Sequence, residues 1–486
     1  MTYIIHIYNN PKYGIQSGGD PLKPLTTIRS HLEAYLYSQQ LSINQFSIQS
    51  GVNSGTLSRI LSGQQPIAMN HLKLITRGMS LPEDHFYSMY VDECFLYSAP
   101  TWRRLRPFIL NSAELGRLDC IELVVKNLLD NLTYAPMLFE VAEDLFQQHH
   151  WQAAAVLYKN ISASEKYQHS ERLALCQYRL FRIALGDSQT LNLQAALLFE
   201  CYIERLEVSD QLDGLKALMH VYYSLHKWDK VDALAQEMHR LAMLSYHHLH
   251  RSQRRDRQDK CPEKPVFFYA LYSHLMRASV CEEFRDYESA LKYVALYMDR
   301  SWIREKGEDT RHILDQFQEW GTANTLLYRM MSGDYGVLPE YVAYIAPHAS
   351  EIFVALYHIV ISANRFSWNV DEVLEQFPSY IPYRTNLKDF GELHNQQILA
   401  DQYSTFLAEL ANYYLRNHRL EGMAFLLQSL ESSAKIKSDS IIIKCVNLFE
   451  QFRHQATEEQ TEQYRLLIGE VQESNDKKND YASNVM

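Results

Sequence analysis

The residues of this 486-residue chain best placed to do chemistry lie at 53–59, where Asn53, Ser54, Thr56, Ser58 and Arg59 surround the apolar Leu57. Hydroxyls and amides both donate and accept hydrogen bonds, and a guanidinium presents a planar fork of donors. Carried on a helix, this set suits base edges in the DNA major groove, where Arg matches guanine and Asn matches adenine. Asn44, Gln45, Gln64 and Gln65 flank it, and such amides suit phosphate oxygens, which fix register rather than sequence. A second set lies far along the chain. Asn324, Asn364 and Asn412 fall in helical patterns, and an Asn amide can donate to and accept from an extended peptide backbone at once. Asp315, Glu319 and Glu409 share those patterns and offer carboxylates to a cationic side chain.

No catalytic arrangement accompanies these residues. The sequence holds no G-x-x-x-x-G-K-[ST] phosphate loop, no G-x-G-x-x-G after a strand and no G-x-S-x-G elbow. Glu282-Glu283 and Glu458-Glu459 are adjacent carboxylates, and neighbouring helix positions do not face one another, so neither makes an acid/base pair. The His247, His248, His250 trio lacks a second ligand cluster at zinc-site spacing. The expectation is a non-enzyme with no metal and no cofactor.

The elements that must position the first set are legible around it. Ser42 with Gln45 makes an S-x-x-Q capping box, and Phe46 and Ile43 give that helix its apolar face. Gly51 ends it where the chain reverses, a position favouring tolerance of positive φ. Asn53 caps the next helix, whose buried stripe is Leu57, Ile60 and Leu61 at i, i+3, i+4. Flanking helices are expected over 26–39 and 69–79, with a fifth over 83–96.

The segment 41–63 resembles the helix-turn-helix of the Cro/cI-type (XRE) repressor family. The resemblance rests on Leu41-Ser42, Gly51-Val52, the run Thr56-Leu57-Ser58-Arg59-Ile60, and Gly63. It departs from the family pattern at Ser47, where Ala is usual, and at Leu61, where an acid often stands. It implies a DNA-binding domain at 25–96, with base contacts from residues 53–59 and phosphate contacts from the flanking amides.

Composition frames the rest. Only 17 Gly and 14 Pro interrupt a chain that is 47% hydrophobic, so helices joined by short loops are expected and the fold class reads as all-α. The net charge is -11. Within 25–80, however, Arg29, Arg59, Lys73 and Arg77 face Glu33 alone, a net +3 that leaves -14 elsewhere. A mildly basic head can meet phosphate; the acidic remainder favours a neutral or cationic ligand. Seven scattered Cys without a C-x-x-C pair fit a reducing cytosol. No apolar run approaches the roughly 20 residues a membrane helix needs, and the first residues lack a signal-peptide pattern, so the chain is expected to be cytoplasmic.

Domains are expected as an arm at 1–24, the five-helix head at 25–96, a linker at 97–110 and helical repeats at 111–473. A disordered polar tail at 474–486 completes them. The basic run Arg103-Arg104-Arg106 reads as part of a solvated linker helix rather than a phosphate contact. Residues 247–264 carry six cations and three acids and read as a solvated inter-repeat loop rather than an accessory DNA contact. Within the repeats, Ala142, Leu145, Trp151, Ala154 and Tyr158 stand at offsets that recur in Ala278, Cys281, Tyr287, Ala290 and Val294. The same offsets recur in Ala411, Tyr414, Leu420, Met423 and Leu427. Small residues let paired helices cross closely, and a large residue wedges the turn, as in tetratricopeptide repeats (TPR). The body thus reads as a TPR-like α-solenoid.

A Cro/cI-type head followed by TPR-like helices resembles the peptide-pheromone receptors of Gram-positive bacteria and their phages (RRNPP type). The resemblance implies a homodimer on a palindromic operator in double-stranded DNA, its affinity controlled by a short signalling peptide. Two competing expectations remain: a TPR-type interaction scaffold tethered to DNA, and a regulatory phosphatase-like or phosphotransfer-blocking protein, against which the intact head argues.

Overall fold

Low Gly and Pro content predicts helices throughout, and in the computed structural model every regular element among the described residues is helical. Those residues are 27–95, 100–167, 170–186, 188–251, 260–349, 351–381, 393–436 and 438–483, without the side chains of 393–401 and 473–483. The expectations for residues 1–24 and for the centre of the basic loop, 252–259, lie outside them. No helix among the described residues is long and apolar enough to cross a membrane. The chain divides into two units, Met1–Gln168 and His169–Met486.

The first unit begins with α1 (Ile28–Ser38), α2 (Ile43–Ser50), α3 (Ser54–Leu61), α4 (Met69–Gly78) and α5 (Tyr87–Phe95). Ser42 and Gln45 form the expected capping box on α2, and Gly51 closes it at φ 77 with its N–H on the Ser47 carbonyl. Asn53 caps α3 by accepting from the Gly55 N–H at 2.9 Å. Leu32, Phe46, Leu57, Ile60, Leu72 and Ile75 are buried together with Phe86 and Tyr90. α2 and α4 meet at Gly78, where a Cβ would stand 2.6 Å from the Ser50 Cβ. Gln49 ties the same contact, its Nε2 donating to the Gly78 carbonyl at 2.6 Å.

The unit continues through α6 (Trp102–Glu114), α7 (Leu118–Leu128), α8 (Ala135–Gln147) and α9 (Trp151–Ser164). Here the structure corrects the domain expectation. The span 97–110, read as a linker, contributes most of α6, whose Leu105, Phe108 and Ile109 are buried. Their i, i+3, i+4 spacing is a core-facing stripe, and Phe108 lies against Tyr87 and Tyr90 of α5. Two cations of the basic run are also internal ties. Arg104 donates to the Cys94 Sγ at 3.2 Å, and Arg106 pairs with Asp144 at 2.9 Å. The boundary between units therefore falls near 168, after the first repeat-like pair, and not at 110.

The second unit runs through α10 (Glu171–Ala184), α11 (Gln189–Glu200), α12 (Val208–Ser224), α13 (Trp228–Arg251), α14 (Val266–Glu283) and α15 (Tyr287–Met298). It goes on through α16 (Glu308–Met331), α17 (Leu338–Ile345), α18 (Ile352–Phe366), α19 (Asp371–Gln376), α20 (Leu393–Arg416), α21 (Glu421–Ile436), α22 (Asp439–Phe452) and α23 (Glu458–Ser483). Consecutive helices pack on one another from α12 to α16, and one buried core extends from α10 into α20. A second cluster joins α20 to α23. The last helix reaches Ser483, so the tail expected to be disordered from 474 is helical over most of its length.

The pairs α8/α9, α12/α13, α14/α15 and α20/α21 share one turn. Residues His149, His226, Arg285 and His418 take φ of 64°, 54°, 59° and 56°. The next N–H of each turn reaches back six residues' span, to Leu145, Tyr222, Cys281 and Tyr414 carbonyls at 2.8–2.9 Å. This is the Schellman closure of a helix C-terminus. The small residues Ala142, Ala154, Ala278, Ala290 and Ala411 are fully buried, as the repeat offsets predict. The wedge is less uniform: Tyr287 is buried and Trp228 lies edge-on to Tyr223, but Trp151 and Leu420 are exposed. Backbone hydrogen bonds, not a wedged aromatic, are the common element of these turns.

Candidate functional sites: a polar helix face and an aromatic groove

In the first unit, the apolar stripe of α3 fixes which residues face outward. Leu57 and Ile60 are buried, so Asn53, Ser58 and Arg59 are exposed, with Ser54 and Thr56 at the margin. Arg59 Nη2 stands 3.4 Å from the Thr56 Oγ1 and has no ion-pair partner among the described residues. The other cations differ. Arg29 pairs with the buried Glu93 at 2.9 Å and Lys73 with Glu83 at 2.8 Å. Arg77, like Arg59, is exposed and outside any ion pair among the described residues. Over 25–96 the five acids Glu33, Glu83, Asp84, Asp92 and Glu93 outnumber the four cations, and among the described residues the cations outside ion pairs are Arg59 on α3 and Arg77 on α4.

The flanking amides divide. Asn44 and Gln64 are exposed and Gln65 half-buried. Gln45 is exposed, but its Oε1 already accepts from both the Ser42 N–H and the Ser42 hydroxyl at 2.8 Å. Only its Nε2 end is open to a phosphate. Asn53 is likewise committed through Oδ1 to the α3 cap, leaving Nδ2 as the group able to reach a base.

In the second unit the structure gives most of the expected peptide contacts neighbours within the protein. Asn364 donates through Nδ2 to both the backbone and the carboxylate of Glu409 at 2.8 Å, and Glu409 also holds Lys444. These three side chains tie α18, α20 and α22 together, while the buried Asn364 Oδ1 has no hydrogen-bond partner among the described residues. Asp315 pairs with Arg300 at 3.1 Å and Glu319 with His348 at 3.6 Å. Asn412 is half-buried on α20, away from the cavity described next. Spacing could place each residue on a helix; it could not tell which polar neighbour the next helix would supply.

Asn324 is the exception. It lines a cavity of about 680 Å³ whose walls come from α12, α14, α16, α17 and α18. Its Nδ2 donates to the Tyr297 hydroxyl at 3.0 Å, leaving Oδ1 as an acceptor. Tyr223, Tyr272, Trp320 and Tyr341 give the walls aromatic surface, His220 and Ser279 add polar groups, and Glu351 stands in the lining itself. His220 Nε2 and the Tyr272 hydroxyl are 2.6 Å apart. Among the described residues the lining contains no Lys or Arg. Volume and composition match a small-ligand site, mostly apolar with a few convergent polar groups.

Just beyond lies a cluster that sequence reasoning passed over. Glu282, on α14, accepts from the Tyr328 hydroxyl at 3.1 Å, and its Oε1 is 3.7 Å from His358 Nδ1. Burial among the helices pushes the Glu282 carboxyl up to about 7 and the His358 imidazole down to about 4, because removing water disfavours either charged form. The sequence had shown Glu282 only as half of an adjacent acid pair, and Tyr328 and His358 carry no motif. Compared with known proteins, the chain matches no protein family, no curated protein and no solved structure.

Proposed function

We propose that this chain is a sequence-specific DNA-binding transcriptional regulator controlled by a short peptide. In this reading α2 and α3 are a Cro/cI-type helix-turn-helix, and the helices of the second unit form a TPR-like sensor whose groove holds the ligand. The observation that carries it is the outward face of α3, short, polar and bearing Arg59 outside any ion pair among the described residues. Arg59 stands in the last turn of α3, where its guanidinium, beside the Thr56 and Ser58 hydroxyls on the same exposed side, presents the donors that a guanine edge would meet.

The groove supports the second half. Successive helices α12, α14, α16 and α18 contribute to one cavity, the pattern by which stacked helix pairs build a concave ligand surface. Because acids outnumber cations over 25–96, one head gains little from phosphate neutralisation. Two heads on a palindrome multiply that affinity, and a ligand favouring one arrangement of the dimer would change it. The direction of that control, activation or repression, is a separate measurement.

The test is selection of the full-length chain against a random duplex pool. A two-fold symmetric motif, with half-sites spaced by about one helical turn or a multiple, is the expected result. A chain that enriches no motif, with and without added peptides, is not this regulator; stable capture of one protein instead would favour the scaffold reading.

A further inference from the structure

The groove has an acidic end that no basic residue of the lining answers among the described residues. On α14, Leu275 and Ser279 line the cavity and Glu282 follows at i+7 and i+3, on the same helix face. On α16, Asn324 lines it and Tyr328 follows at i+4. On α18, Val354 and Ala355 line it and His358 follows at i+4 and i+3. Three helices thus lead from the cavity wall to the Glu282–Tyr328–His358 cluster within one turn. Glu282 keeps 26% of its side chain exposed, so a ligand group can reach it.

We propose that this groove selects a short peptide bearing one basic side chain, whose guanidinium or ammonium pairs with Glu282 while the rest of the peptide lies on the aromatic walls. This rests on the reading of the groove as a peptide site. The charge argument is direct. Glu282 and Glu351 supply the carboxylates, the described lining supplies no Lys or Arg, and His358 is held neutral by burial. The groups that sense Glu282 from each packed element are Tyr223 (α12), Glu283 (α14), Tyr287 and Tyr297 (α15), Tyr328 (α16), Tyr341 (α17) and His358 (α18). None is a cation at neutral pH. Tyr and Trp faces add cation–π attraction for the same ligand group, and an acidic side chain there would meet like charge. Because burial holds the free carboxyl near 7, pairing with a cation draws it to the ionised form and releases a proton.

The experiment exposes the full-length chain to a randomised hexapeptide pool and sequences what is retained. Wild type should enrich Arg or Lys at one position by about tenfold, the size of one charge-assisted pair, and deplete Asp and Glu there. Glu282→Gln should lose that enrichment while keeping aromatic or aliphatic preferences elsewhere. Retained peptides without a basic preference, or a preference unchanged in Glu282→Gln, overturn the proposal and leave the peptide reading standing. Retention of no peptide overturns both. Calorimetry on wild type alone decides the matter if Glu282→Gln does not fold. A retained basic peptide should release protons at pH 7, measured in two buffers of different ionisation enthalpy, and its Gln-substituted counterpart should not; equal release by both refutes the pairing.

Discussion

Replacing Gly78 by Ala tests the geometry that holds α2, and through it α3, in place. The new Cβ would stand 2.6 Å from the Ser50 Cβ, 3.0 Å from its Cα and 3.1 Å from the Phe46 ring. Ordinary carbon contacts lie at about 3.5–4.0 Å, so α2 and α4 must part by roughly 1 Å. The Ser50 atoms are backbone or directly attached to it, and cannot swing aside. Overpacking of this kind costs about 1–3 kcal/mol. Ala recovers part of that through helix propensity, about 1 kcal/mol in a helix interior and less at the last residue of α4. A net loss of about 1–2 kcal/mol corresponds to a factor of roughly 5–30 in the opening equilibrium. Hydrogen exchange on the full-length chain should show that loss of protection in α2 and α4, where Gln49 Nε2 also loses its 2.6 Å bond to the Gly78 carbonyl. Gly469→Ala is the matched opposite: nothing lies within 4 Å of its Cβ, so the same chemical change should raise protection in α23. If Gly78→Ala leaves α2 and α4 as protected as wild type, the close approach is not holding them.

Other expectations follow from the two sites. Arg59→Ala should weaken binding to the selected operator by about 1–3 kcal/mol and random DNA by less, as read by fluorescence anisotropy; equal losses on both would assign Arg59 to phosphate instead. Ser42→Ala removes both the cap on α2 and the hydroxyl that holds the Gln45 Oε1, at a cost of about 0.5–2 kcal/mol, measurable as lost protection at the α2 N-terminus. The Glu282 carboxyl, raised from 4.5 to about 7, is bound more tightly by its proton when folded, so its contribution is present below pH 4.5 and lost as pH rises through about 7. Glu282→Gln should therefore raise the urea midpoint relative to wild type at pH 8 and leave it near wild type at pH 4.5; an unchanged pH profile would show that Glu282 is not the group responsible. His358, lowered from 6.5 to about 4, acts in the opposite sense, its neutral-state stability lost as pH falls below 6.5.

The short-range signals were the legible ones. Ser42, Gln45, Gly51 and Asn53 act within four residues of themselves, and each sits in the cap or turn its chemistry predicts. The same locality made the paired helices readable from Ala142, Ala278 and Ala411. The span 97–110 is less legible, because the cations of the 102–106 run share one helix with the apolar stripe Leu105, Phe108 and Ile109 that buries α6.

What the sequence by itself determined is therefore helical content, caps, turns and the outward face of α3, because hydrogen bonds and apolar periodicity along one helix need no distant partner. What only the tertiary structure decided is which polar groups remain open to a ligand. Asn364 and Glu409 are 45 residues apart and Glu409 and Lys444 35 apart, yet the Glu409 carboxylate is held by both the Asn364 Nδ2 and the Lys444 ammonium. Asn324, placed by its pattern on a helix, and Glu282, seen in the sequence only as half of an adjacent acid pair, come to lie along one groove. A carboxylate's availability depends on whether packing brings a cation to it, and that is a property of helices meeting across the fold rather than of residues following one another in the chain.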